Sequence, residues 1–207
     1  MADATDVTRL DATRRRPNVL VLFVDQQRWD TLGAYGSPLG LTPNLDRMAQ
    51  QGVRFDIACT TQPVCAPARA SLLTGQYATT HGVWRNGLGI DTGAQTLARC
   101  FTEAGYDTGY IGKWHLAPSD VGRGAVPPEL RVGFTGFWEA ANVLEFTSQP
   151  FETVLFDADG QEVRPPGYRV DALTDRAIHF LRRPRQNPFF LVVSYLEPHH
   201  QNDVDRY

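Results

Sequence analysis

Cysteine is scarce in this chain: Cys59, Cys65 and Cys100 are the only three among 207 residues. They are too few, and odd in number, for a disulfide framework, which points to the reducing cytoplasm. Long apolar runs are missing too. Residues 19–24 and 189–193 are strand-sized stretches, so no membrane segment is expected. Residues 1–17, rich in Asp, Thr and Arg, lack the apolar stretch of a secretory signal. They read as a mobile polar tail ahead of a domain over 18–207. A net charge of −3 gives no electrostatic case for a nucleic-acid partner. There are no internal repeats and no low-complexity segments. What remains is an ordinary globular composition, 42% hydrophobic and 11% aromatic, enough for one large domain or two small ones.

Within that composition, strand-like runs alternate with helix-like ones. Residues 18–24 are almost continuously apolar, the pattern of a central strand buried on both faces. The run stops at Asp25, and the carboxyl ends of such strands are where open α/β sheets build their sites. Thr42-Pro43 reads as a helix start, with the helix running to Gln51 and stopping at Gly52. Residues 53–57 alternate like a second strand and lead to a helix at Cys65. A helix over 94–103 closed by Gly105 should precede a strand over 106–113. The proline- and glycine-rich residues 117–168 read as an irregular insertion with short strands at 132–138 and 153–156. Val170, Leu173, Ala177, Ile178 and Leu181 follow helical spacing up to Pro184, and 189–196 reads as a last buried strand. The predicted class is α/β, with a largely parallel sheet flanked by helices.

Pro63-Val64-Cys65-Ala66-Pro67-Ala68-Arg69, followed by a leucine-containing helix and Thr74-Gly75, is the most informative segment. Pro67 suits a first helical turn, because its missing N–H would have lacked a partner there. Cys65 would sit at the positive end of the helix, where N–H groups favour anions and lower a thiol's pKa. Arg69, one turn on, could reach back over it. Taken alone, the pattern describes a buried cysteine beside a solvated arginine better than it describes a nucleophile beside a fixed cation.

The spacing Cys65-x-Pro67-x-Arg69 resembles the signature of the sulfatase family, and three other segments resemble that family in the same order. They are Val24-Asp25-Gln26-Gln27-Arg28-Trp29-Asp30, Gly112-Lys113-Trp114-His115 and Glu197-Pro198-His199-His200. Together the matches span residues 17–200. Most of the family carries two aspartates where this chain has Asp25-Gln26, a pair similar to that of the choline-sulfatase and phosphonate monoester hydrolase branches. Those phosphonate hydrolases have tyrosine and threonine where this chain has Lys113 and His115, so this pair favours sulfate esters.

The resemblance implies an alkaline-phosphatase-like sandwich whose C-terminal part is missing here, and an arylsulfatase-like sulfuric ester hydrolase. Cys65 would be converted to formylglycine by a formylglycine-generating enzyme. Asp25, Gln26 and the converted residue 65 would hold a divalent metal, calcium in the first place, with magnesium and manganese as alternatives. Lys113 and His199 would bind the sulfate group of a sulfated small molecule or sugar, and Asn86 would line the pocket. Arg69 would position the formylglycine hydrate, and His115 would take a proton from it. His199 or a lysine would protonate the departing alcohol.

A later family segment carries an Asp-Asn or Asp-His metal pair and another lysine, and nothing here matches it; Asp203 and Asp205 lie too close to the last strand. The chain therefore reads as the N-terminal portion of a sulfatase, with weak metal binding and exposed sheet edges. Two other readings stay open: a phosphonate or phosphate diester hydrolase on the same scaffold, and an inactive fragment that binds a sulfated ligand or a protein partner.

Overall fold

The computed structural model describes residues 16–199. Residues 1–15 of the predicted tail over 1–17, and His200, Asp203 and Asp205, lie outside the described residues. Six strands make one sheet in the order β1-β6-β2-β3-β4-β5. They are β1 (Val19–Val24), β2 (Asp107–Lys113), β3 (Phe137–Ala141), β4 (Leu155–Phe156), β5 (Glu162–Val163) and β6 (Phe189–Tyr195). The first four positions in that order run parallel, and β4 and β5 add an antiparallel ribbon. Because β6, late in the chain, inserts between β1 and β2, connections leave this point in both directions. A crevice opens at the strands' carboxyl ends, where α/β sheets place ligands.

Residue alternation along β6 divides the core into two layers. Phe190 and Val192 pack with Tyr110, Trp114, Phe134 and Trp138 against α2 (Cys65–Thr74) and α4 (Leu97–Glu103). Phe189, Leu191 and Val193 face the other way, onto Leu173, Ala177 and Phe180 of α6 (Arg169–Arg182). Each of these large side chains contributes about 1.5–3 kcal/mol of burial. The helices fall close to the predicted spans. Thr96 caps α4 by accepting from the Arg99 N–H at 3.2 Å, which sets its start three residues later than expected. Helix α1 covers Pro43–Gln51, buries none of its residues and is tied to residues 33–35 by the Ala34 N–H donating to Asp46 Oδ1 at 2.7 Å.

Three expectations change. β1 is an edge strand, not a central one, and only one of its faces is covered. Val19 and Val21 pack inward while Leu20, Leu22 and Val24 stay exposed. Helix α6 covers β6 and β2 on that face and does not reach β1. Residues 53–57 form no strand; Val53, Phe55 and Ile57 are each more than two-thirds exposed and find no partner strand among the described residues. The strand expected at 132–138 begins only at Phe137, because Val132 takes a left-handed backbone (φ 37°) that interrupts extension. Among the described residues no helix is long and apolar enough to cross a membrane.

Candidate active site

Each arm of the site emerges where an element ends. β1 releases Asp25, and Gln26 follows in a left-handed conformation (φ 60°) that turns the chain sharply. β2 can close on β6 at Gly112 only because that residue has no Cβ: one built there would lie 2.0 Å from the Ser194 carbonyl oxygen. That contact fixes where Lys113 leaves the sheet. Beyond β6, a buried Glu197–Arg169 ion pair (2.8 Å) pins the segment to the start of α6. The His199 N–H bonds to the Leu196 carbonyl at 3.0 Å.

These arms line a cavity of about 550 Å³ whose wall includes Asp25, Gln26, Cys65, Arg69 and His199. Lys113, the only lysine of the chain, is fully buried behind it. Its Nζ donates to Asp25 Oδ2 (2.8 Å) and Glu145 Oε1 (2.8 Å), and lies 3.8 Å from Cys65 Sγ. Arg69, also buried, donates to Asp25 Oδ2 (3.1 Å), the Lys113 carbonyl (2.9 Å) and Ser194 Oγ (2.7 Å). Its hydrogen bonds thus tie together the ends of β1, β2 and β6 and do not go to Cys65. Two participants, Glu145 on α5 (Leu144–Thr147) and Ser194, carried no signal in the sequence. Glu145 sits in the irregular insertion outside any motif, and Ser194 is a single polar residue in an apolar strand.

Charge is balanced at close quarters. Burial alone would raise the Asp25 pKa, but Arg69 and Lys113 outweigh it and hold the carboxyl below its usual range. Glu145 is in the same position: burial raises its pKa and Lys113 brings it down further. The Cys65 thiol goes the other way from the expectation. Burial pushes its pKa up, and Lys113 only partly opposes this. The helix start explains why the dipole argument fails. The Ala66 N–H is taken by Asn86 Oδ1 at 3.0 Å, Pro67 has none, and that of Ala68 bonds to the Val64 carbonyl at 3.0 Å. Few free donors remain to favour a thiolate.

The remaining predicted residues take different places. Asn86 caps α2 through that bond and is not part of the cavity wall, so its contribution is to hold the helix start. His115 is buried beside Glu145 in a left-handed conformation (φ 56°), its N–H bonded to the Asn142 carbonyl. That left-handed turn keeps Lys113 and His115 from forming an extended i, i+2 pair on one side of the strand. Burial, with the Lys113 charge, lowers its pKa to about 4, so its imidazole is neutral at pH 7. A second histidine contact, Ser71 Oγ to His81 Nε2 at 3.0 Å, is not a nucleophile–base pair. The Val83 N–H donates to Nδ1 (3.1 Å), so Nε2 carries the proton and donates to the serine. It pins α2 to the end of α3 (Ala78–His81), the short helix after it.

The donor set fits a divalent ion. Asp25 Oδ1 points at Cys65 Sγ from 3.8 Å, and one atom each of Asp25, Cys65 and His199 lie within 4.8 Å of one another. Arg69 and Lys113 hold the other Asp25 oxygen and so aim the first.

The sequence model of the Sulfatase family matches residues 17–207. The uncharacterized sulfatase YidJ of Escherichia coli is 39% identical over 197 residues, covering 90% of this chain and 39% of the relative. Among solved structures, the yidJ protein of Bacteroides fragilis superposes with a TM-score of 0.82 at 28% identity, covering 96% of this chain and 48% of that one. A structure solved in complex with its substrate D-glucosamine-2-N,6-O-disulfate gives 0.76 at 30% identity, covering 89% and 35%. The chain thus spans less than half the length of each of these relatives.

Proposed function

The chain belongs to the sulfatase family, with its alkaline-phosphatase-like fold, and from that membership we propose that it carries the nucleophile-bearing half of a sulfate ester hydrolase. One observation supports this most: Asp25, Cys65 and the chain's only lysine converge within 4 Å at the floor of a sheet crevice, with His199 in the wall of the same cavity. We assign residues 18–207 to the N-terminal portion of the sulfatase fold and residues 1–17 to a polar tail.

Cys65 stands in for formylglycine, whose hydrate supplies one hydroxyl to attack sulfur and a second to expel sulfate afterwards. Asp25, Gln26 and residue 65 would hold a divalent metal, calcium before magnesium or manganese, which offsets negative charge on the sulfate oxygens. Lys113 would bind a sulfate oxygen; its tether to Glu145 holds the ammonium beside Cys65. Arg69 acts indirectly, by fixing Asp25 against the ends of β2 and β6. Neutral His115 can accept a proton released at residue 65. His199, in the wall of the cavity, would donate to the leaving alcohol.

The substrate class is a sulfated sugar or another small sulfate ester, consistent with the ligand of the solved relative. The maturation partner is a formylglycine-generating enzyme, and the unpaired cysteines suit the cytoplasm. The test is peptide mass spectrometry after co-expression with that enzyme, with turnover assays alongside. The Cys65 peptide should lose about 18 Da. Metal-dependent sulfate release from an aryl sulfate should fall on the order of a thousandfold or more in Cys65→Ala. An unconverted thiol, or faster turnover of an aryl phosphonate, would overturn the assignment.

A further inference from the structure

We propose that in its unconverted, thiol form the chain is a zinc-class metal site built by Cys65, His199 and Asp25. The donors come from three separate elements: the start of α2, the segment after β6 and the end of β1. Sulfur, imidazole nitrogen and carboxylate oxygen together make a softer set than a calcium site offers, and one that suits zinc. Spacing agrees with this. Zinc bonds of about 2.3 Å to sulfur and 2.0 Å to oxygen at a tetrahedral angle put the two ligand atoms roughly 3.5 Å apart. The Cys65 Sγ to Asp25 Oδ1 separation is 3.8 Å, and the set including His199 closes within 4.8 Å.

The surroundings support a metal. Arg69 and Lys113 bond to Asp25 Oδ2 and leave Oδ1 turned to the sulfur, the work that outer hydrogen bonds do at metal centres. Their two positive charges are balanced by Asp25 and by Glu145, whose second oxygen is buried without a hydrogen bond. A thiolate then leaves the cluster net negative, which offsets the repulsion between an arriving dication and the two basic side chains. The cavity that the three donors line leaves room for a water as a further ligand. The step is a proton-for-metal exchange: the thiol S–H breaks, a sulfur–metal bond forms and the proton leaves to solvent. Conversion of residue 65 to an aldehyde hydrate would replace sulfur by oxygen and return the site to hard cations, so the chemical state of one residue selects the metal.

The inference rests on the thiol, not on the conversion, and is tested on the 207-residue chain expressed without a converting enzyme, its Cys65 thiol verified by mass. Cobalt(II) serves as the probe, because a thiolate ligand gives it a near-ultraviolet charge-transfer band. One equivalent should produce that band. Zinc should displace it and a large excess of calcium should not. The band should disappear in Cys65→Ser and persist when Cys59 and Cys100 are both replaced by serine. His199→Ala should weaken zinc binding about tenfold or more. Circular dichroism checks that each variant folds. Alkylation of the unsubstituted chain gives an independent readout: zinc should slow iodoacetamide labelling of the Cys65 peptide about tenfold or more, with Cys59 and Cys100 as internal references. Absence of the band, its survival in Cys65→Ser, displacement by calcium, or labelling unaffected by zinc would each overturn the proposal. None of these outcomes depends on formylglycine formation, so a failure here is distinct from a failure of the proposed activity.

Discussion

The two ends of the parallel sheet are equally apolar in sequence and differ in what covers them. On the β6–β2 side, Leu191 and Val193 are fully buried between the sheet and α6. On the β1 side, Leu22 is 50% exposed, and Phe55, in the arm that follows, 69%. The register pairs Leu20 with Leu191 and Leu22 with Val193, so these residues share one face of the sheet. The cover stops between two neighbouring strands. Apolar spacing reports what a strand is able to bury and says nothing about whether something lies opposite. The candidate site straddles this boundary. Asp25 comes from the open side, Lys113, Ser194 and His199 come from the covered side, and Arg69 fastens one to the other.

If Arg69 is that fastening, removing it should have the largest effect. Arg69→Ala leaves Asp25 with a single cationic partner and strips Ser194 and the Lys113 carbonyl of a donor. The expected loss is about 3–5 kcal/mol in urea or guanidinium unfolding. A loss below 1 kcal/mol would mean the two sides do not depend on the latch. The contrast itself is tested by truncating matched leucines. Leu191→Ala should cost about 2–5 kcal/mol and Leu22→Ala less than about 1 kcal/mol. Equal costs would show that β1 is covered in solution.

The third prediction concerns pH and belongs to the covered side. His115 has a folded pKa of about 4, below the ordinary value of 6.5. Below 6.5 the unfolded chain binds a proton that the folded one refuses. This contribution is therefore complete above pH 6.5 and fades as pH falls towards 4, by up to about 3 kcal/mol. Thermal melts between pH 7 and 4 should show the decline, and His115→Gln should flatten it. An unchanged slope in that variant would assign the decline to other groups.

Several residues of the candidate site are marked in the sequence by local signals. Asp25, Cys65 and Lys113 each stand where a regular element begins or ends, and His199 follows β6 by four residues; such punctuation is written locally. Glu145 could not be found that way. It lies in the proline- and glycine-rich insertion, and only the arrival of Lys113 from β2 makes its carboxylate part of the cluster. Ser194 is likewise an ordinary strand residue until the Arg69 guanidinium reaches it. The strand expected over 53–57 fails for the reason that β1 is half bare: alternation is local, and a ladder partner is not. The thiol pKa went astray because Asn86, twenty-one residues on, takes a donor that the helix start would otherwise have left free.

By itself the sequence determined the alternation of strands and helices, the helix that carries Cys65, and the order of the four motifs, because caps, prolines and side-chain periodicity act over a few residues. Only the tertiary structure decided that β6 inserts between β1 and β2 and that one face of β1 stays open. It also decided that the lysine is shared between Asp25 and Glu145, and that Cys65, His199 and Asp25 meet as potential metal donors. Those outcomes depend on which distant segments come to lie side by side, and on how burial and neighbouring charge then offset one another.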